Sequence, residues 1–140
     1  MDYEIDLCPT HSCIRLTMMA ETVTQELAEE IYRHLSEATS SGGPYAAIYD
    51  LSATKHTPMP TDMVRRFARR PPSISMGRKH VVVGTEPVIF GLARVFQMCG
   101  ESIGSEFQVV HTLEEAYSFV GVRPEDFTEC LIWPSEPTRP

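Results

Sequence analysis

No apolar run in the chain approaches the roughly 20 residues a membrane-spanning helix requires. The first residues, Met1-Asp2-Tyr3-Glu4-Ile5-Asp6, are acidic and alternate in polarity. That pattern is neither a signal nor a transit peptide, so a cytoplasmic protein is expected. The four cysteines, Cys8, Cys13, Cys99 and Cys130, form no Cys-x-x-Cys pair, and no His stands at zinc-ligand spacing from a cysteine pair. No metal and no cofactor are expected on that ground. Cys8 and Cys13 fall in neighbouring strands, where a bridge is conceivable and reduced packing thiols are the expectation. The Gly42-Gly43 pair follows a helix and lacks the Gly-Lys-Ser/Thr ending of a phosphate loop. Asp50, Ser52 and His56 supply the residue types of a hydrolase, but no glycine elbow flanks Ser52. A phosphoacceptor receiver would need clustered carboxylates where the chain offers only Asp50. A non-enzyme is therefore expected.

The 140 residues suit one domain, with 42% apolar and 22% charged side chains. The boundary is placed at 1–122 for the domain, with 123–140 as a C-terminal tail rich in Pro, Glu, Asp and Ser, partly docked or disordered. The net charge of −7 argues against nonspecific nucleic-acid binding. Its distribution is uneven: residues 63–85 hold 6 of the 12 Lys and Arg and no acid.

Residues 2–8 and 13–18 alternate as half-buried strands around the turn Pro9-Thr10-His11-Ser12 and read as a hairpin. Thr22-Val-Thr-Gln25 fits a capping box ahead of Val23, Leu27, Ile31, Leu35 and Ala38, the apolar stripe of an amphipathic helix ended by Gly42-Gly43-Pro44. Tyr45–Tyr49 is a short buried strand. Residues 60–70 form a short helix with Thr61 as cap and Asp62 on the dipole's positive end. Lys79–Gly84 is apolar on both faces, as a central parallel strand is. Residues 88–99 form a helix closed by Gly100, 107–111 a strand, and Thr112-Leu-Glu-Glu115 caps the last helix. The expected fold is α/β, a mixed β-sheet flanked by helices in the order β-β-α-β-α-β-α-β-α.

The hairpin, the long capped helix, the strand ending in Tyr49-Asp50-Leu51-Ser52, the short helix from Pro60 and the final strand–Thr112-Leu-Glu-Glu-Ala116–helix resemble a STAS domain. Within that group the chain is most similar to standalone proteins related to the sporulation anti-anti-sigma factor, over about residues 2–121. The resemblance implies a non-enzymatic regulatory module whose partner surface is the start of the second helix and the loop before it. It also implies a phosphoacceptor Ser or Thr at that helix start, where Thr61 falls nearest. The usual Asp-Ser-Ser/Thr-Gly-Leu pattern is absent, and no glycine follows Thr61.

Two constellations bear on partners. Arg65, Arg66, Arg69 and Arg70 share one broad helical face, either an anion or acidic-partner site or a solvated face partly neutralised by helix 22–38. Helix 88–99 is apolar nearly all round: Val88, Leu92, Val95, Phe96 and Cys99 form the expected inward set, leaving Ile89, Phe90, Ala93 and Met98 for a second surface. A homodimer interface is the first expectation there, a docked tail next, then a lipid-like ligand. Arg94 on this helix would need a partner if buried, and Asp50 is the candidate. The expected partner or ligand surface thus comprises Asp50, Ser52, His56, Thr61, Arg65, Arg66, Arg69 and Arg94. The function expected is protein binding with self-association; the alternative is a binder of a small anionic or lipid-like ligand.

Overall fold

A computed structural model describes residues 2–40, 44–58, 62, 66, 78–91, 93–94 and 106–132. The fold is α/β, built on one mixed six-stranded sheet. Strands β1 (Tyr3–Cys8) and β2 (Cys13–Met18) pair antiparallel in the register Tyr3↔Met18 to Cys8↔Cys13. The turn between them carries Ser12 at φ 49, the left-handed conformation that closes the hairpin. Strands β3 (Ala46–Asp50), β4 (Lys79–Val83) and β5 (Glu106–Val110) then add in parallel, each beside its predecessor. The sixth strand, β6 (Glu129–Ile132), returns to the opposite edge and pairs antiparallel with β1, with an irregularity at Ile5/Asp6. The full order is β5-β4-β3-β2-β1-β6. This strand after the last helix corrects the expected order. Cys130-Leu-Ile was legible only as an apolar run in a polar tail, too short to fix a partner.

Period-two alternation divides the sheet's side chains between two faces. One face carries Tyr3, Ile5, Ile14, Leu16, Met18 and Ala47, packed against Leu27, Ile31 and Leu35 of helix α1 (Gln25–Ala38). Burying three such side chains contributes on the order of 2 kcal/mol each, which outweighs the weak intrinsic propensity of a 14-residue helix. The same face continues through Tyr49, Val82 and Phe107 to Ala93 on a helical stretch that includes residues 87–91, 93 and 94. Helix α1 starts two residues later than the sequence implied: Thr24, not Thr22, is the cap, its hydroxyl accepting from the Leu27 amide at 3.2 Å. Thr22 instead bridges to His56. The helix ends at Thr39, whose hydroxyl donates to the Leu35 carbonyl at 2.9 Å, before the glycines are reached.

The opposite face holds Cys8, Cys13, Ala46, Ile48, Val81 and Val83 under helix α2 (Leu113–Val120), with Ala116 and Val122 buried against them. Its start is the expected capping box, Thr112 with Glu115, and its end is Gly121 at φ 85, the left-handed cap where a side chain would be strained. Cys8 and Cys13 are buried free thiols, and burial pushes the Cys13 thiol up to about 12. Beyond α2 this face turns polar. Arg15 donates to the Tyr117 hydroxyl at 2.8 Å and to Asp6 at 3.1 Å, and its guanidinium lies 4.5 Å from the Phe127 ring centre. Burial alone would lower the Arg15 pKa; the bonds to Tyr117 and Asp6 outweigh it and raise it. This cluster fastens the return from α2, through the short turn Pro124–Asp126, to β6.

Among the described residues no helix is long and apolar enough to cross a membrane.

Candidate functional site

Parallel strands deliver their loops to one edge of the sheet, and open α/β folds bind ligands beside the carboxyl ends of those strands. Here three loops meet at that edge. The first leaves β3 at Asp50. Its buried carboxylate accepts from the Ser52 amide at 3.0 Å and the Ser52 hydroxyl at 2.6 Å, an aspartate turn that satisfies an otherwise costly buried charge. The Leu51 amide donates to the Val83 carbonyl at 2.9 Å. Thr54, fully buried, donates through its hydroxyl to the Ala20 carbonyl at 3.1 Å. The Lys55 and His56 amides both donate to the Glu21 carbonyl, at 2.7 and 2.9 Å, and the His56 carbonyl accepts from Val23. The loop is therefore stitched to the entry of α1 along its length.

The second loop leaves β4 at Gly84. A Cβ at that position would stand 3.2 Å from Ile89 Cγ2, so the glycine allows the helical stretch to start close against the sheet. The Gly84 amide donates to the Val110 carbonyl at 3.0 Å, and the Thr85 hydroxyl donates to the Ser52 carbonyl at 3.1 Å. The third loop is His111-Thr112. Both amides donate to the Glu115 carboxylate at 3.1 Å, and these bonds hold that acid below the usual carboxylate range. The His111 ring stacks on Phe90 with centroids 4.4 Å apart and planes 9° from parallel. Each loop thus contacts the next.

Several expected site residues take positions unlike those inferred from sequence. Asp50 is buried and committed to Ser52, and no ion pair joins it to Arg94 among the described residues. Arg94 is exposed, so it has no need of a buried partner. His56 is exposed and held through its backbone, and no imidazole touches Ser52 among the described residues. Arg66 is exposed and lies 3.8 Å from Asp62, one turn away. Thr61, Arg65, Arg69, Arg70 and Met98 lie outside the described residues.

The apolar helix is rotated from its expected orientation. Ile89 and Ala93, assigned to an outer interface, are buried at 1% and 4% exposure against the sheet, and Phe90 is half-buried on His111. Val88, assigned inward, is 53% exposed. The cause is the close approach at Gly84, which seats Ile89 rather than Val88 on the sheet. Leu92 and the positions from 95 to 100 lie outside the described residues.

Chemically, the described part of the edge has its polar groups tied to one another. The Ser52 hydroxyl donates to the Asp50 carboxylate at 2.6 Å, within the same tight turn. What faces outward is Val88 with Gly91 and Arg94, and Ser52, Lys55 and His56 on the neighbouring loop. Comparison with protein-family models, with curated proteins and with solved structures returns no match.

Proposed function

We propose that this chain is a cytoplasmic, non-enzymatic regulatory module that binds protein, a second copy of itself first, through the surface around Val88. One observation carries the reading. Val88 is 53% exposed at the start of a helical stretch on which Ile89 and Ala93 are buried and Phe90 is half-buried against His111. A single exposed valine is ordinary on a protein surface; one that follows directly on a loop bonded to both of its neighbours is a pre-organised contact, which reduces the ordering cost of association. The rim suits the role, since exposed Arg94 offers a cationic contact on a chain of net charge −7, beside Lys55, which lies 3.8 Å from Glu21. The resemblance of residues 2–121 to anti-sigma factor antagonists points the same way and adds Thr61 as the position to examine for phosphorylation.

Light scattering on the full chain at tens of micromolar tests this. The expected mass is twice the 15.7 kDa of one chain. Val88→Asp should return it to one chain's mass without unfolding, because an acid in a helix's first turn complements the dipole. A wild-type chain that stays at 15.7 kDa overturns self-association through this surface.

A further inference from the structure

At the opposite end of the sheet a second cluster stands outside everything described above. Cys8 closes β1, and the hairpin turn brings His11 back onto it, so that Nδ1 lies 3.4 Å from the Cys8 Sγ. Far along the chain, the turn Pro124–Asp126 carries Asp126 to the same place, and the three donor atoms lie within 4.8 Å of one another. We infer that Cys8, His11 and Asp126 form a binding site for a borderline-soft divalent cation, with Zn2+ as its type.

The geometry fits that ion. Legs of about 2.3 Å to sulfur and 2.1 Å to nitrogen at the tetrahedral angle place the two donors about 3.5 Å apart. The Cys8–His11 separation of 3.4 Å already meets this, so the sulfur and nitrogen donors stand ready to share one ion, and Asp126 closes onto it from within 4.8 Å as the Cys8 thiol gives up its proton. A thiolate, an imidazole and a carboxylate together select Zn2+ or Co2+ over Mg2+ and Ca2+, which take oxygen donors. Three protein ligands leave one position for water. The exposed Thr10 hydroxyl, 3.1 Å from His11 Nδ1 and 3.5 Å from Cys8 Sγ, is placed to hydrogen-bond that water.

The surroundings hold the donors in place. The Arg123 amide donates to Asp126 Oδ2 at 3.0 Å and fixes the carboxylate, as an outer-shell partner does. The Arg123 guanidinium, 3.5 Å from Asp126 Oδ1, competes for that oxygen. It is exposed and already reaches Glu125 at 3.7 Å, so it has an acid to retreat to. Arg78 donates to the His11 carbonyl at 2.9 Å and pins the turn to its neighbours. Burial restricts Cys8, but His11 is exposed and Asp126 half-buried, which leaves an approach from solvent. Cys13 stands opposite Cys8 in the hairpin, but its thiol is directed to the Ile14 carbonyl at 3.7 Å.

The test is titration of the reduced, chelator-treated full chain with Co2+, followed by competition with Zn2+. One equivalent should bind, with a thiolate-to-Co2+ charge-transfer band and the intense visible bands of a four-coordinate ion. Zn2+ should displace it and raise the melting temperature. His11→Ala and Asp126→Asn change accessible side chains and should each weaken binding about tenfold or more. Cys8→Ser should abolish the charge-transfer band, whereas Cys130→Ser and Cys99→Ser should leave it. Absence of the band overturns the inference, and so does a His11→Ala chain that binds as tightly as the parent. Either result would make the Cys8–His11 contact a brace for the hairpin and no more.

Discussion

The Tyr49 hydroxyl and His80 Nδ1 lie 3.1 Å apart in the middle of the sheet, and the His80 ring lies nearly parallel both to Tyr49 and to Phe107. The imidazole is 1% exposed, and its Nε2 has no hydrogen-bond partner among the described residues. Burial first, and the Arg78 charge second, lower its pKa from 6.5 to about 4. A histidine depressed in the folded state is neutral there while the unfolded chain still takes up a proton. Its contribution is complete above the unfolded pKa of 6.5 and is lost as pH falls towards about 4. Denaturant unfolding should show a loss approaching 3 kcal/mol across that window. His80→Phe should flatten this part of the profile, and a parent chain equally stable at both ends of the window would refute the assignment.

The sequence reading carried most of the sheet, because period-two alternation survives in a strand whatever lies on top of it. Tyr3–Cys8, Cys13–Met18 and Lys79–Val83 match their predicted spans within a residue. Orientation around a helix axis was harder. In residues 88–99 nearly every position is apolar, so the hydrophobic pattern has no direction, and the seating of Ile89 rather than Val88 is set by a tertiary contact at Gly84. The cluster at Cys8 escaped notice for a different reason. Cys8-x-x-His11 supplies only two of the three ligands, and the third arrives through a chain reversal that no local spacing encodes.

That same contact gives a prediction about the interaction edge. Gly84→Ala would place a methyl 3.2 Å from Ile89 Cγ2, tighter than ordinary van der Waals contact. Ile89 must shift, since it is buried at 1% exposure with little room to turn. A cost of about 1–2 kcal/mol in thermal or denaturant unfolding is expected. Because Val88 is the next residue, self-association should weaken by more than the lost stability alone would cause. Unchanged stability in Gly84→Ala would mean the helical start is not seated against the sheet at this point.

The third loop depends on Thr112. Its hydroxyl accepts from the Glu115 amide at 3.2 Å, while the Glu115 carboxylate accepts from the Thr112 and His111 amides. Thr112→Ala removes one side of this exchange and should cost about 1 kcal/mol. Glu115→Gln keeps the acceptor but not the charge, so it should cost less. Its effect should also shrink with acidification, as the carboxylate it replaces becomes protonated. Amide exchange at His111 and Thr112 measures both effects, and equal protection in parent and Thr112→Ala would exclude the box as what holds the loop.

Arg15 and Asp6 face each other across β1 and β2 in register, and their side chains are only 19% and 12% exposed. A pair this dry is not worth its Coulomb energy, because both groups gave up hydration to form it. Removing one member is another matter. Arg15→Met leaves the Asp6 carboxylate with no counter-charge from Arg15 and the Tyr117 hydroxyl without its donor, and should cost about 3–5 kcal/mol. Asp6→Asn leaves Arg15 its bond to Tyr117 and its position against Phe127, and should cost about 1–2 kcal/mol. The double variant should be less destabilised than the sum by about 1–3 kcal/mol, since the charge stranded by Arg15→Met is then gone. The four chains form a complete cycle that equilibrium unfolding can measure. Strict additivity would show that the two side chains do not interact in solution. The turn Pro124–Asp126 would then have to reach its place without the Arg15 cluster that positions Phe127 beneath it.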